Sequence, residues 1–149
     1  HSGGTSALTI DSSGNVHKAG MVVQVKENAI TTQISTTSTS LGASGHTLSI
    51  TPKFAASKIL ITVTGGEQTY GGSGVITGIV HLYRQLTEQS MGGSDSSDYG
   101  HSHSLEFTDT THNTTSAINY QPYIKTNTGT YFYNYSPSVL TLRAMEIAQ

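Results

Sequence analysis

The chain of 149 residues has no cysteine and no tryptophan, only three prolines, and charged residues at just 11% of positions. Without cysteine there is no disulfide framework, no thiolate metal site and no thiol nucleophile, and nothing to read about redox compartment. Seven Lys and Arg against nine Asp and Glu leave a formal net charge of -2. That balance offers no basic surface for phosphates or anionic lipid, so nucleic acid and membrane surfaces are not expected partners. Apolar runs such as Ile59-Leu60-Ile61 and Met21-Val22-Val23 fall far short of the roughly 18 to 20 residues of a membrane-spanning helix. His1-Ser2-Gly3-Gly4 has neither the basic start nor the apolar stretch of a secretion signal. It is read as a cloning remnant or the cut end of a longer chain and takes no part in the fold reading.

What the chain does have is Thr, Ser, Gly and Tyr, a composition that disfavours helices and suits short strands joined by tight turns. Its apolar residues recur mostly at period two, the spacing of strands with one buried face. Strands are expected over Met21 to Lys26, Ala29 to Ile34, His46 to Ile50, Lys58 to Thr64, Val75 to Gln85, Ser102 to Phe107, Asn119 to Ile124, Tyr131 to Tyr135 and Ser138 to Ile147. A spacing of about ten residues between them fits a sandwich or jelly roll. Ile79, Leu82, Tyr83 and Leu86 also fit helical spacing, but the competing alternation and the flanking glycines favour a strand there. Three polar stretches, Gly65 to Gly74, Gln89 to Gly100 and Thr108 to Ser116, are expected as loops, where variable recognition sits.

Near the start, Ala7-Leu8-Thr9-Ile10, a polar turn, and Val16 form a hairpin whose apolar face, Leu8, Ile10 and Val16, is too small to bury itself. Three copies around an axis would bury it. The alternative is that the hairpin folds back onto its own domain as an edge strand.

The segment from Thr5 to Val16 resembles the hairpin that often precedes the C-terminal domain in tail fibre proteins of marine and cyanobacterial phages. Gly20-Met21-Val22-Val23-Gln24-Val25, Ser49-Ile50-Thr51-Pro52-Lys53-Phe54, Ser57-Lys58-Ile59-Leu60-Ile61 and the closing Leu140-Thr141-Leu142-Arg143-Ala144-Met145-Glu146-Ile147 are similar to that family's framework in the same order. The likeness covers most of the chain and is weakest from Gly65 to Ser116. It implies an all-β, jelly-roll-like β-sandwich similar to the trimeric heads of complement-type and tumour-necrosis-type ligands. Residues 1–19 would be a stem hairpin, and residues 20–149 a receptor-binding head at the end of a three-chain fibre. The location so implied is the virion, with a host cell-surface glycan or protein as partner.

Few residues point to chemistry. His101 and His103 are placed i and i+2 on an expected strand, where both imidazoles point to one side. In a homotrimer three such pairs would supply six nitrogens, a shell suited to iron or nickel rather than tetrahedral zinc. Some phage fibre tips resemble this, although their glycine stands two residues before the first histidine, whereas Gly100 immediately precedes His101. The plainer reading is two solvated histidines. Tyr131, Tyr133 and Tyr135 are expected on one face of a strand, with Phe132 and Asn134 on the other. They would serve either packing or contact. The contact candidates are Tyr70, Tyr99 and His112, which stand alone in polar stretches, together with Asp95 and Asp98.

No catalytic residue and no required cofactor are expected. Glycan cleavage would need two carboxylates facing one sugar bond. Glu67, Asp95, Asp98, Glu106 and Asp109 are the carboxylates to test, and most read as solvated turn residues. No nucleophile elbow, P-loop or zinc-protease motif occurs. The function expected is attachment to a host surface molecule through the loops, without enzymatic activity. The alternatives are a glycan depolymerase and a domain that only caps the trimer.

Overall fold

Side chains alternate between core and surface along the chain because two sheets close on each other face to face. The computed structural model describes residues 8–10, 12, 14, 16–71, 76–84, 87–89, 93–96 and 101–149, and for Thr9, His17, Tyr70, residues 76–96, His101, His103 and Ser136 the backbone alone. Thirteen strands are found among them and no helix. They are β1 (Thr9–Ile10), β2 (Val16–His17), β3 (Val22–Ile30), β4 (Ile34–Thr36), β5 (Gly42–Ala43), β6 (Leu48–Ile50), β7 (Lys58–Gly71), β8 (Ile76–Arg84), β9 (Thr87–Gln89), β10 (Gly93–Ser96), β11 (His101–Asp109), β12 (Ile118–Thr126) and β13 (Thr130–Ile147).

The pairing is antiparallel throughout and nested. First pairs with last, β3 with β13; then β6 with β12, β7 with β11, and β8 with β10. Folding a hairpin of hairpins in this way gives a jelly roll. One sheet has the order β11-β7-β13-β3, with β4 also on β13; the other runs β10-β8-β12-β5, with β6 on β12 and β9 on β8. The all-β sandwich expected from periodicity is therefore the fold. The segment with competing helical spacing is strand β8 from Ile76 to Arg84, and Val75, Gln85 and Leu86 lie outside the described residues. β1 and β2 pair only with each other, Thr9 opposite His17 and Ile10 opposite Val16.

Ile59, Ile61, Val63, Leu140, Leu142 and Ala144 from the first sheet meet Leu48, Ile50, Ile118, Tyr120 and Ile124 from the second, all of them buried. On the outer face of the first sheet, Val25, Met145 and Leu60 lie in register. Beside them Arg143 spans to Glu27 at 2.6 Å, an exposed pair that contributes at most about 1 kcal/mol.

Four boundaries differ from expectation, and the first is that strand β10 (Gly93–Ser96) lies within the stretch Gln89 to Gly100 expected as a loop. β3 runs unbroken through Glu27 and Asn28, since pairing with β13 outweighs the polarity of those two residues. The stretch from Gly65 is no loop, because β7 continues to Gly71. The strands expected to end at Tyr135 and to begin at Ser138 are one, β13, bent by register shifts between Tyr133 and Leu140. Asn134 makes the bend with a φ of 56°. Its Nδ2 donates to the Ile30 and Thr32 carbonyls at 2.9 and 3.1 Å, and its Oδ1 accepts from Ser138 Oγ at 3.1 Å. Opposite it, Gly65 and Gly66 take φ of +77° and +65°.

At this bend β13 changes partners, from β3 below to β4 above. The sandwich therefore has a seam along one side, where β3 and β4 of one sheet face β6 and β5 of the other. The lower half is stitched. Gln24 Nε2 donates to the Thr51 carbonyl at 2.7 Å, and Asn28 Nδ2 to the Thr47 carbonyl at 2.9 Å. These bonds satisfy edge carbonyls that would otherwise recruit another strand.

The bend can be tested at its glycines. A Cβ on Gly65 would lie 2.5 Å from the Val139 carbonyl oxygen, in a backbone region that costs an L-residue about 1–2 kcal/mol. Gly65→Ala should destabilise the fold by about 2 kcal/mol or more in urea titration. Gly42→Ala, whose Cβ meets nothing within 4 Å, should be neutral or stabilising by about 0.5 kcal/mol.

Candidate functional site

The inward rhythm of β13, Leu140, Leu142 and Ala144, next brings in Glu146, a buried carboxylate. It survives there because donors surround it. Gln24 Nε2 lies at 2.6 Å, the Lys53 and Phe54 amides at 2.9 and 3.0 Å, and Ser57 Oγ at 2.8 Å. Burial alone would raise the carboxyl, but the bonds from Lys53, Gln24, Phe54 and Ser57 together outweigh it and hold Glu146 below the usual carboxylate range. The carboxylate thereby fixes the turn from Pro52 to Ser57 against β3 and β13. His112 closes the same cluster, with Nε2 3.3 Å from the Phe54 carbonyl and 3.5 Å from Ser57 Oγ. The single Ser57 hydroxyl hydrogen is shared between the Phe54 carbonyl at 2.7 Å and Glu146 at 2.8 Å, and Glu146, Ser57 and His112 serve as a clamp.

At the other end of the core Tyr131, Tyr133, Gln68 and His46 are buried. The Tyr131 hydroxyl donates to Gln68 Oε1, and the His46 ring lies 5.7 Å from that of Tyr133. Neither ring nitrogen of His46 has a hydrogen-bond partner among the described residues. Burial lowers its pKa, and the Thr32 carbonyl, near the ring but outside hydrogen-bonding geometry, offsets this only in part. Burial likewise pushes the Tyr133 hydroxyl far above its ordinary value.

Beyond these rings the seam opens. A cleft of about 220 Å³ lies between β4 and β5, lined by Ile34, Ser35, Thr36, Gly42, Ala43, Ser44 and Ile124. Thr36 Oγ1 accepts from the Ser38 amide and Ser44 Oγ from the His46 amide, each at 3.1 Å. Neither spends its own hydroxyl hydrogen in those bonds.

The sequence-derived candidates that fall among the described residues lie on different elements. His112 is 8% exposed, which corrects the expectation that it stands in a polar loop free for contact. Its ring completes the Glu146 clamp instead. Tyr70 lies in β7 opposite Tyr131, not in a loop, and its side chain is outside the described residues. Asp95 lies in β10 opposite Thr77, its side chain also outside them, as are Tyr99 and Asp98 altogether. His101 and His103 lie in β11, opposite Gln68 and Gly65, and their side chains are outside the described residues.

Of the carboxylates, Asp109 is fully buried and accepts from the Tyr120 hydroxyl at 2.8 Å and the Thr111 amide at 2.9 Å, a structural role. Glu106 is exposed on β11 opposite Thr62, and half-buried Glu67 lies opposite Tyr135. The tyrosines of β13 do not share a face. Tyr131 and Tyr133 are buried, whereas the turn at Asn134 swings Tyr135 out beside Phe132.

A scan against protein-family models matches none, and a search of the curated proteins finds no significant similarity. Among solved structures the chain is similar to one from infectious bursal disease virus, Gx strain, at 12% identity and a TM-score of 0.35. The alignment covers 97% of this chain and 47% of that one, so the chain spans about half its length. A likeness of that degree establishes neither a shared topology nor a shared role.

Sequence reasoning missed Glu146, His46 and Gln68, yet Glu146 and His46 were legible as anomalies. Each falls on the inward parity of an alternating strand, Glu146 after Leu142 and Ala144, and His46 before Leu48 and Ile50.

The two buried ionisable groups separate in pH. His46 is neutral in the fold, so as pH drops below its ordinary 6.5 the unfolded chain gains a proton that the folded chain refuses, and stability falls. His46→Phe should flatten the decline in urea midpoint between about pH 7 and pH 5. Glu146, held low when folded, contributes stability at neutral pH that is lost as pH falls through its folded value. Glu146→Gln should lower stability by about 2–3 kcal/mol at pH 7 and shrink the further loss below about pH 4.5.

Proposed function

We propose that this chain is the receptor-binding tip of a trimeric phage tail fibre, attaching the virion to a host cell-surface glycan or protein without enzymatic activity. The observation that carries the reading is apolar surface left without cover at the base of the head. Leu8, Ile10 and Val16 of the hairpin are 55, 66 and 42% exposed, and Val22 and Val25 of the next strand 47 and 51%. Large apolar side chains this exposed, five of them between residues 8 and 25, mark an interaction surface. A two-stranded hairpin paired only with itself is not stable alone in water. Three copies around a fibre axis would bury these residues together, as the framework resemblance implies.

In that assembly the head's loops face outward, and Tyr99, Asp95 and Asp98 are proposed to touch the receptor. Weak contacts at three tips, repeated over the fibres of one particle, give firm attachment without high affinity at any one of them. An axial iron or nickel held by His101 and His103 of three chains would belong to the same assembly.

Light scattering of the purified chain should give a mass near three chains; about one-third of an iron or nickel atom per chain would support the axial site at His101 and His103, and a metal-free trimer would keep the fibre reading and leave those histidines as surface residues. Replacing Leu8, Ile10 and Val25 together by Asp should bring the mass toward one chain with the β circular dichroism kept. The labelled trimer should adsorb to host cells and compete with the virion, and scrambling Gln89 to Gly100 should abolish that adsorption. A monomeric wild-type chain would refute the fibre reading, and adsorption unaffected by the scramble would leave a capping domain.

A further inference from the structure

The seam is the part of the molecule that the attachment reading does not use. Its lower half is closed by the Gln24 and Asn28 amides, and its upper half, between β4 and β5, is open. We propose that this opening binds a single neutral sugar residue. The identification of its biological source as a host-surface glycan rests on the attachment reading; the chemistry of the cleft does not.

Size is the first argument. About 220 Å³ is below the roughly 300 Å³ at which drug-sized ligand sites begin, and suits one ring rather than an extended ligand. Lining chemistry is the second. Thr36 and the largely buried Ser44 place two hydroxyls beside the apolar Ile34 and Ile124, while Ser35, opposite Phe132, stands on the other parity of β4 at the rim. Sugar hydroxyls both donate and accept, as do those of Ser and Thr, while the C–H face of a ring packs on aliphatic side chains. Thr36 and Ser44 each already accept a backbone amide. Their oxygens are thereby fixed, and their hydroxyl hydrogens remain for acceptors on the ligand. Such prior positioning lowers the ordering cost of binding.

Charge is the third. No ionisable side chain lines the cleft, so an acidic sugar would lose hydration there without gaining a counter-ion. Gly42 and Ala43 keep one wall low, and a Cβ added at Gly42 meets nothing within 4 Å. A peptide strand fits less well, because β4 and β5 are three and two residues long, too short an edge to template strand addition.

The test is a titration of the full isotope-labelled chain with methyl glycosides of glucose, galactose and mannose, with glucuronic and sialic acids as charged controls. Amide shifts are followed at residues 34–36 and 42–44. At least one neutral glycoside should shift those amides with a dissociation constant in the millimolar range, as expected for one small ring. Gly42→Leu, which fills the cleft from open space, should abolish the shifts. Thr36→Val, which keeps the shape and removes the hydroxyl, should weaken binding about tenfold, the effect of one lost hydrogen bond, with only a small fall in melting temperature from the loss of the exposed Ser38 amide bond.

The proposal is overturned if no neutral glycoside moves those amides, if the acidic sugars bind more tightly, if a short β-strand peptide shifts them where glycosides do not, or if Gly42→Leu binds like the wild type. Host-cell adsorption separates the two readings. Glycoside binding that Gly42→Leu removes, with no adsorption by the wild type, supports the cleft and rejects attachment. Adsorption without any glycoside binding rejects the cleft and leaves attachment to the loops.

Discussion

The Asn134 carboxamide joins segments that alternation alone would leave unconnected. It donates to the carbonyls at the end of β3 and in the link to β4, and accepts from Ser138. Ser138 Oγ in turn accepts the Glu67 amide of β7 at 2.8 Å. One polar node thus spans three strands at the level where β13, 18 residues long, exchanges one edge partner for another. A strand of that length would carry its twist past the end of the sandwich, and a bulge with a left-handed residue is how such a strand is turned and kept paired.

Everything at the seam follows from that exchange. Below the bend, β3 runs close enough to β6 for its side-chain amides to reach the edge carbonyls across the gap. Above it, β4 and β5 are each fixed on one side only, to β13 and β12, and the cleft lies between them. Closed and open halves of one edge thus arise from a single change of partner. The closed half removes a template for aggregation, and the open half leaves hydroxyls accessible on a rigid frame.

Buried ring nitrogens without a partner among the described residues occur at both ends of the core, His112 Nδ1 below and both nitrogens of His46 above. At the lower end Glu146 is satisfied by backbone and side-chain donors, and it ties the β6–β7 turn to β3 and β13. At the upper end His46 is buried, and its ring has no hydrogen-bond partner among the described residues. A satisfied buried carboxylate rigidifies, whereas an unsatisfied imidazole stores a cost that grows on protonation.

Period-two alternation and a composition poor in helix formers were enough to place most strands and the sandwich class, because the hydrophobic effect acts on each residue's face independently of what lies opposite. The same parity marks Glu146 and His46 as inward polar residues. What alternation could not supply was the bend. Asn134 reads in sequence as one more strand residue, and only its hydrogen bonds to Ile30 and Thr32, more than a hundred positions away, reverse the expected facing of Tyr135. His112 likewise reads as a loop residue, and becomes a core residue through Phe54 and Ser57. Local pattern therefore determined which residues are strand and which faces are apolar. Which edges meet, which half of the seam closes, and where a cleft remains were decided by tertiary contacts between segments far apart in the chain, since those depend on register and long-range hydrogen bonds that no local window contains.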